Sequence, residues 1–403
     1  MNRVVITGLG GISSLGVNIE EIFDSLKEGR SGITPLNFLN SERLSIQIGG
    51  QIHDYKPEEY FSKQDIALYD KFTQFALIAA KQAVSSAGIE ITERNTSDVG
   101  VILGTAGGGL QTQDENYREV YESGKNRVHP LIVPKLMNNA AASHVSIKYN
   151  AQGPCFTIAS ACSSSNHAMG QALNLIRKGN IKIAITGGSE SMLCFGGIKA
   201  WEGLRIMSKE TCRPFCATRD GMVQGEGGAI FIFEDYEHAK NRDANVLAEV
   251  AGFGMSSDAM DIVNPSKEGA ARAIAGALTD AKLNPEDIDY INAHGTGTIA
   301  NDKTECAAIR HVFKDQAEKI MISSTKSMHG HLIGGTGALE LLSCVLALNN
   351  NIVPPTINHK QKDPECDLDI VPNIAREHSI DCTLSNSFAF GGLNAVLALK
   401  KLT

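Results

Sequence analysis

The sequence predicts an α/β protein built from two copies of one unit. Three observations carry that prediction. Apolar, strand-like runs alternate with amphipathic stretches along all 403 residues, the pattern of buried sheets covered by helices. Three segments of the first half recur in the same order in the second, the mark of an internal repeat. A polar stretch, residues 237–243, lies between the two halves and reads as their joint.

The elements follow in order. Arg3-Val4-Val5-Ile6-Thr7 reads as the first strand, and residues 4–14 are matched by 247–257 with a one-residue offset. Residues 71–87 place Phe72, Phe75, Ala76, Ala79 and Ala80 on one helical face,. Residues 98–105 form a strand whose counterpart is 287–294. Residues 107–137 are irregular, with scattered charges, and read as a cap or an interface arm. Residues 156–162 read as a short buried strand ending in a tight turn, and Ser163 opens a helix. Their counterpart is 321–326, followed by the helix around 337–342. Residues 268–281 are an alanine-rich helix that stops before Leu283-Asn284-Pro285,.

Composition excludes several classes. With 42% hydrophobic and 20% charged residues the chain is ordinary globular protein,. A net charge of −8 without a basic stripe argues against nucleic-acid binding,. It leaves room for a local basic patch that receives an acidic partner. The nine cysteines lack regular spacing, and Cys212 and Cys216 have no second pair to complete a zinc site,. No signal peptide and no membrane-spanning run is read, so a reducing cytoplasm with free thiols is expected.

The chemistry points to one cysteine. Cys162 lies at a helix N-terminus, where free N–H groups and the helix dipole favour a thiolate. His294 and His331 follow in the glycine-rich segments NAHGTGT and KSMHGH. A cysteine with two distant histidines is the minimal set for thiol-based acyl chemistry. With a duplicated fold, the cysteine comes from one half and both histidines from the other, which puts the site at the pseudo-twofold interface. Other motifs lead nowhere. The GLGG after the first strand lacks the remaining features of a dinucleotide loop,. Ser323-Ser324-Thr325-Lys326 lacks the partner motifs of a serine–lysine site,. His329-Gly330-His331 has no carboxylate cluster to make a metal site.

Six motifs in order then give the chain a family resemblance: VVITGLGGISSLG, ACSSSNHA around Cys162, CRPF…RDGMVQGEG from Cys212, NAHGTGT, KSMHGHLIGGTG and SNSFAFGGLNA from Ser385. Nearly end to end, the sequence resembles the elongating type II β-ketoacyl-acyl carrier protein synthases of the thiolase superfamily. The resemblance implies the thiolase fold, a duplicated five-layered α-β-α-β-α architecture. It implies halves at 1–243, carrying the nucleophile, and 244–403, carrying both histidines. It also implies an acyltransferase reaction, in fatty-acid, polyketide or polyene assembly. Cys162 takes an acyl group from a carrier protein, and malonyl-carrier protein loses carbon dioxide to give an enolate that attacks the thioester. His294 and His331 then bind the enolate oxygen as neutral Nε2–H donors. The N–H groups of Cys162 and Phe390 form a second oxyanion hole, and Phe390 gates the site.

By the same resemblance Lys326 is a cation held by Glu305, with Asp302 nearby, and it biases the histidines' protonation. Thr296 and Thr298 hydrogen-bond the pantetheine arm, and Arg127 and Arg205 dock the carrier. No cofactor and no metal is implied. The expected partners are acyl- and malonyl-loaded carrier protein and a second copy of the chain, with no nucleic acid and no membrane. The alternatives are the catalytic chain of a ketosynthase heterodimer and a non-catalytic chain-length partner, which generally lacks the nucleophile. A thiolase uses a second cysteine near the C-terminus, and Cys382 is not in such a setting. The chain departs from the family pattern at His329 and Leu393, where the family usually has Thr, and at Ala389, where a glycine would leave the gating loop freer. Residues 63–69 carry almost no positive charge, which suggests a dedicated carrier protein. Residues 201–208 and 212–215 suggest a specialised pathway.

Overall fold

The structure, a computed structural model, describes residues 1–402. Its centre is a ten-stranded mixed sheet. In chain order the strands are β1 (Val4–Ser13), β2 (Val99–Gly104), β3 (Cys155–Ile158), β4 (Ile183–Glu190), β5 (Gly227–Asp235), β6 (Ala248–Ser257), β7 (Tyr290–Asn292), β8 (Met321–Ser323), β9 (Cys382–Ala389) and β10 (Leu393–Lys400). In space they run β8-β7-β9-β10-β6-β1-β5-β4-β2-β3. Counted outward from the centre, one half reads β1-β5-β4-β2-β3 and the other β6-β10-β9-β7-β8. Each strand therefore has an equivalent in the other half. The three sequence recurrences pair β1 with β6, β2 with β7 and β3 with β8, as this order requires. The halves meet where β1 and β6 pair antiparallel through Val5–Glu249 and Ile6–Ala248.

The helices that position the site are α1 (Lys71–Ala87), α2 (Ala140–Tyr149), α3 (Ser164–Arg177), α4 (Phe195–Glu202), α5 (Tyr236–Asn241), α6 (Lys267–Ala281), α7 (Ile299–Phe313) and α8 (Thr336–Asn350). Helices α1 and α2 cover the outer face of the first half, and α6 with α7 the outer face of the second. Helices α3 and α8 pack on strands of both halves and form the middle of the five layers. Every residue of α8 from Thr336 to Leu348 is buried, as a helix covered on all sides must be.

Local chemistry explains the boundaries. Helix α1 starts at Asp70, whose carboxylate accepts the Phe72 N–H, a cap worth about 1 kcal/mol. Gly8 and Gly10 let α1 lie flat on β1: a Cβ there would sit 2.2 and 2.1 Å from the Ala83 and Ala79 carbonyl oxygens. The GLGG run is thus a packing device. Residues 237–243 form most of α5 and the turn into β6. Residues 107–137 hold two helices, Leu110–Tyr121 and Ile132–Leu136, joined by an exposed stretch. One expectation is corrected. Strand β3 is not buried: it is an outer strand of the sheet, and Cys155 and Phe156 are exposed. Among the described residues, no helix is long and apolar enough to cross a membrane.

Candidate active site

Strand β3 ends at Ile158, and the chain then turns sharply to put Cys162 just before α3. The turn places Ala161 in the left-handed region at φ 50°. Serines stabilise it: Ser164 Oγ donates to the Ala161 carbonyl at 2.7 Å and accepts the Ser160 N–H at 2.9 Å. Ser163 Oγ donates to the Ser160 carbonyl at 2.9 Å. The serine run that follows Cys162 is therefore the frame of the turn. Asn166, one turn into α3, donates to the Ser385 and Ala395 carbonyls. That bond ties the nucleophile's helix to β9 and β10 of the other half.

The structure brings Cys162, His294 and His331 together. The cysteine sulfur and one ring nitrogen of each histidine lie within 4.8 Å of one another, and all three residues are buried. The two imidazoles meet edge to face, with centroids 5.5 Å apart. His331 is held through its backbone: its N–H donates to the Val223 carbonyl at 2.7 Å and its carbonyl accepts the Gly225 N–H at 3.0 Å. This is the task of the RDGMVQGEG segment from the first half. The Ile333 N–H donates to His331 Nδ1 at 3.2 Å. A backbone N–H can only donate, so Nδ1 accepts and the ring proton sits on Nε2. His331 Nε2 has no partner of its own and is free to donate into the site. At His294, the Lys326 ammonium lies 3.4 Å from Nδ1 and fixes the same tautomer. Burial first, then Lys326, holds both imidazoles well below the usual histidine range, so they are neutral. Protons on both Nε2 atoms also leave no lone pair there for a metal ion.

Two expectations need correction. The first concerns Lys326. Its ammonium pairs with Glu340, not Glu305, and both side chains are fully buried. It also donates to the His294 carbonyl. Glu340 reaches it from the middle of α8, and burial pushes that carboxyl up while Lys326 pulls it back down. Glu305 instead builds the loop: it accepts the His294 and Gly295 N–H groups, each at 2.8 Å, and Asn386 Nδ2 at 3.1 Å. Asp302 accepts the Phe215 N–H at 2.8 Å and the Gly297 N–H at 3.2 Å. Both carboxylates hold backbone where several N–H groups converge, which is why neither is free to pair with Lys326. The second correction concerns Cys162. Burial pushes its thiol up to about 12, against Lys326 and the N–H groups of Phe390 and Cys162. Desolvation outweighs the helix terminus, so the resting group is a thiol.

The cavity above Cys162 measures about 100 Å³ and is lined by His294, His331, Thr296, Thr298 and Phe390, among others. Thr296 and Thr298 hydrogen-bond each other at 2.9 Å. Phe390 follows β9 and stacks on Trp201. The departures from the family pattern fit locally. Ala389 pairs with Leu393 across the β9–β10 turn in ordinary strand geometry, and positive φ begins only at Gly391. Leu393 packs with the apolar residues around Cys162. His329 donates from Nδ1 to the Gly330 carbonyl and accepts the Thr325 hydroxyl at Nε2. Arg127 and Arg205 are exposed, and neither is in an ion pair among the described residues.

Sequence reasoning missed Glu340 and Glu190. A single acidic residue inside the apolar run Gly337–Leu342 was the signal for Glu340, since a buried charge demands a partner. Glu190 is buried and accepts the Thr105 hydroxyl and the N–H groups of Ala106 and Gly334. It thereby joins the loop after His331 to the loop after β2. Nothing in its sequence context marks it.

Comparison with known proteins places this geometry. The family models for the β-ketoacyl synthase N-terminal domain and C-terminal domain match residues 1–239 and 247–360. Nodulation protein E of Rhizobium leguminosarum bv. trifolii is 45% identical over 400 residues, 99% of each chain. The 3-oxoacyl-[acyl-carrier-protein] synthase 2 of Coxiella burnetii is 41% identical over 408 residues, again 99% of each. Among solved structures, the ishigamide ketosynthase/chain length factor superposes with a TM-score of 0.95 at 34% identity over the whole of both chains.

Proposed function

The chain belongs to the β-ketoacyl synthase family, and on that premise we propose how its residues divide the work of condensation. It is an acyltransferase that joins an acyl group to a malonyl unit on acyl carrier protein, with loss of carbon dioxide. In the first step the Cys162 sulfur attacks the acyl-carrier thioester. The C–S bond to the carrier breaks, and the thiol proton ends on the carrier's pantetheine sulfur. The N–H groups of Cys162 and Phe390 take the oxyanion as the carbonyl opens. In the second step the malonyl group sheds carbon dioxide, and its electron pair forms an enolate. His294 and His331 donate their Nε2–H bonds to that oxygen. The enolate carbon then bonds to the acyl carbon, the Cys162–acyl bond breaks, and the released sulfur takes up a proton.

The observation that carries this reading is the orphaned Nε2 of His331 beside a buried thiol. A donor fixed by its tautomer and left unpaired costs free energy in a resting protein; an arriving oxyanion repays that cost. Lys326 serves by fixing the His294 tautomer and by adding to the burial that holds both rings neutral, and Glu340 compensates its charge. We read Glu305 and Asp302 as the scaffold of the 294–298 loop, Thr296 and Thr298 as hydrogen-bond partners of the pantetheine arm, and Arg127 and Arg205 as carrier contacts. The boundary at 243/244 is our division of the halves. The segment 63–69, in which Lys63 is the single basic residue, supports a dedicated carrier. The bare edge of β3 and the exposed Tyr117, Tyr121, Val133 and Phe156 support a dimer,. Likeness to a ketosynthase/chain length factor keeps a heterodimer as the second reading. Nine free cysteines agree with a cytoplasmic setting,.

Intact-protein mass after mixing with acyl-carrier proteins of several lengths tests the assignment. The wild type is expected to gain the acyl mass, and Cys162→Ala is expected to gain none. Equal gain in both proteins would overturn Cys162 as the acceptor.

A further inference from the structure

Trp201 is the chain's single tryptophan. It sits in the last turn of α4, partly buried, and stacks on Phe390 with ring centroids 5.9 Å apart and planes at 20°. We propose that Trp201 is a positioning residue that clamps Phe390 in the closed position and so sets how readily the site opens to an acyl chain. The inference rests on the ketosynthase reading above.

The first support is volume. The cavity over Cys162 holds about 100 Å³, well short of the roughly 300–1,000 Å³ of ordinary ligand pockets. An acyl-pantetheine therefore enters only if part of the lining moves. The second support is the hinge. Phe390 is followed by Gly391 and Gly392, with φ of 81° and 66°, a conformation glycine adopts without penalty. Of the residues lining the cavity, Phe390 is thus on the segment best built to swing. The third support is the fixed side of the stack. Helix α4 is pinned by Glu202, next to Trp201, which accepts the Ser45 and Ile46 N–H groups at 2.6 and 2.9 Å. The tryptophan stays while the phenylalanine moves. Among the described residues, no other aromatic ring stacks on Phe390.

Opening must break that stack. An aromatic pair of this geometry shifts an equilibrium by about two- to tenfold. Apparent affinity for the acyl donor scales with the open fraction. Removing the indole therefore speeds acylation. It does not speed condensation: once Cys162 is acylated the acyl chain no longer has to enter, and a Phe390 loop left open lets water reach the enolate site.

The test uses hexanoyl-pantetheine as acyl donor and malonyl-pantetheine as extender, with the whole chain. Tryptophan emission and intact mass are followed together in the wild type, and acylation and condensation rates are compared in Trp201→Ala and Trp201→Phe. Emission is expected to change at the rate of mass gain. Trp201→Ala is expected to acylate about two- to tenfold faster while condensing more slowly, and Trp201→Phe to restore both rates. Mass gain without a change in emission, or a parallel fall of both rates in Trp201→Ala, would overturn the clamp. No mass gain on wild-type Cys162 would sink the ketosynthase reading and the clamp with it.

Discussion

The two strand–turn–helix units related by the pseudo-twofold carry opposite chemistry. In the first half, β3 runs through a short serine-stitched turn to Cys162 and directly into α3. In the second half, β8 runs to Lys326 at the equivalent place, but residues 324–335 intervene before α8. Those residues hold His329, His331 and the Gly334 that Glu190 grips. One turn makes a nucleophile and the other makes a cation and an oxyanion donor. Duplication supplied two copies of the same frame, and lengthening one turn gave them different tasks.

The outer strands differ in the same instructive way. Strand β8 is buried because its own chain covers it: the Ile322 N–H donates to the Asp369 carbonyl at 2.8 Å, and the Ser324 N–H to Thr356 Oγ1 at 3.0 Å. Strand β3 has no such cover, and its Phe156 faces solvent. Equivalent positions in the repeat need not share an environment.

The largest expected effect lies in the second turn. Lys326→Ala leaves Glu340 buried without its cation, which costs about 3–5 kcal/mol of stability. Denaturant unfolding checks it. The double change Lys326→Met with Glu340→Leu is expected to recover most of that stability but not the activity, because His294 loses the ammonium at Nδ1 that fixes its tautomer. Full recovery of activity would show that the cation is only a structural partner. Next comes His294→Ala, expected to lower kcat for condensation about 10²- to 10³-fold, the usual loss for one oxyanion donor. A drop confined to KM would mean that His294 only binds substrate.

The first turn gives a smaller, pH-dependent signal. The Cys162 thiol lies at about 12, so its thiolate fraction grows throughout the working range. Inactivation by a neutral alkylating reagent should rise about tenfold for each pH unit between about 7 and 9. A plateau in that range would mean that the helix terminus wins over burial after all. The smallest effect concerns the bare edge. Phe156→Asp is expected to shift the assembly toward monomer in light scattering, with the fold intact by circular dichroism. An unchanged mass would place the interface elsewhere.

Much of this was legible in the sequence, for reasons that can be named. The repeat was readable because equivalent strands carry similar runs of residues in the same order, so β1, β2 and β3 announce β6, β7 and β8. The trio of Cys162, His294 and His331 stood out because glycines and small residues crowd each of them. Lys326's partner was not readable, because four acidic residues near the site look alike until burial and N–H placement separate them. The state of Cys162 was also hidden: sequence shows the helix terminus but not the desolvation that opposes it. Phe156 reads as core because an apolar run is the same whether its cover comes from its own chain or from another.

The central claim is that each half brings a separable part of the chemistry to one site. Measuring acylation by mass and malonyl decarboxylation by carbon dioxide release, in Cys162→Ala and His331→Ala, tests it most directly. The account predicts a crossed result. Cys162→Ala loses acylation but still releases carbon dioxide from malonyl-carrier protein, and His331→Ala is still acylated but releases about 10²- to 10³-fold less. Loss of both reactions in both folded variants would contradict the division of labour between the halves.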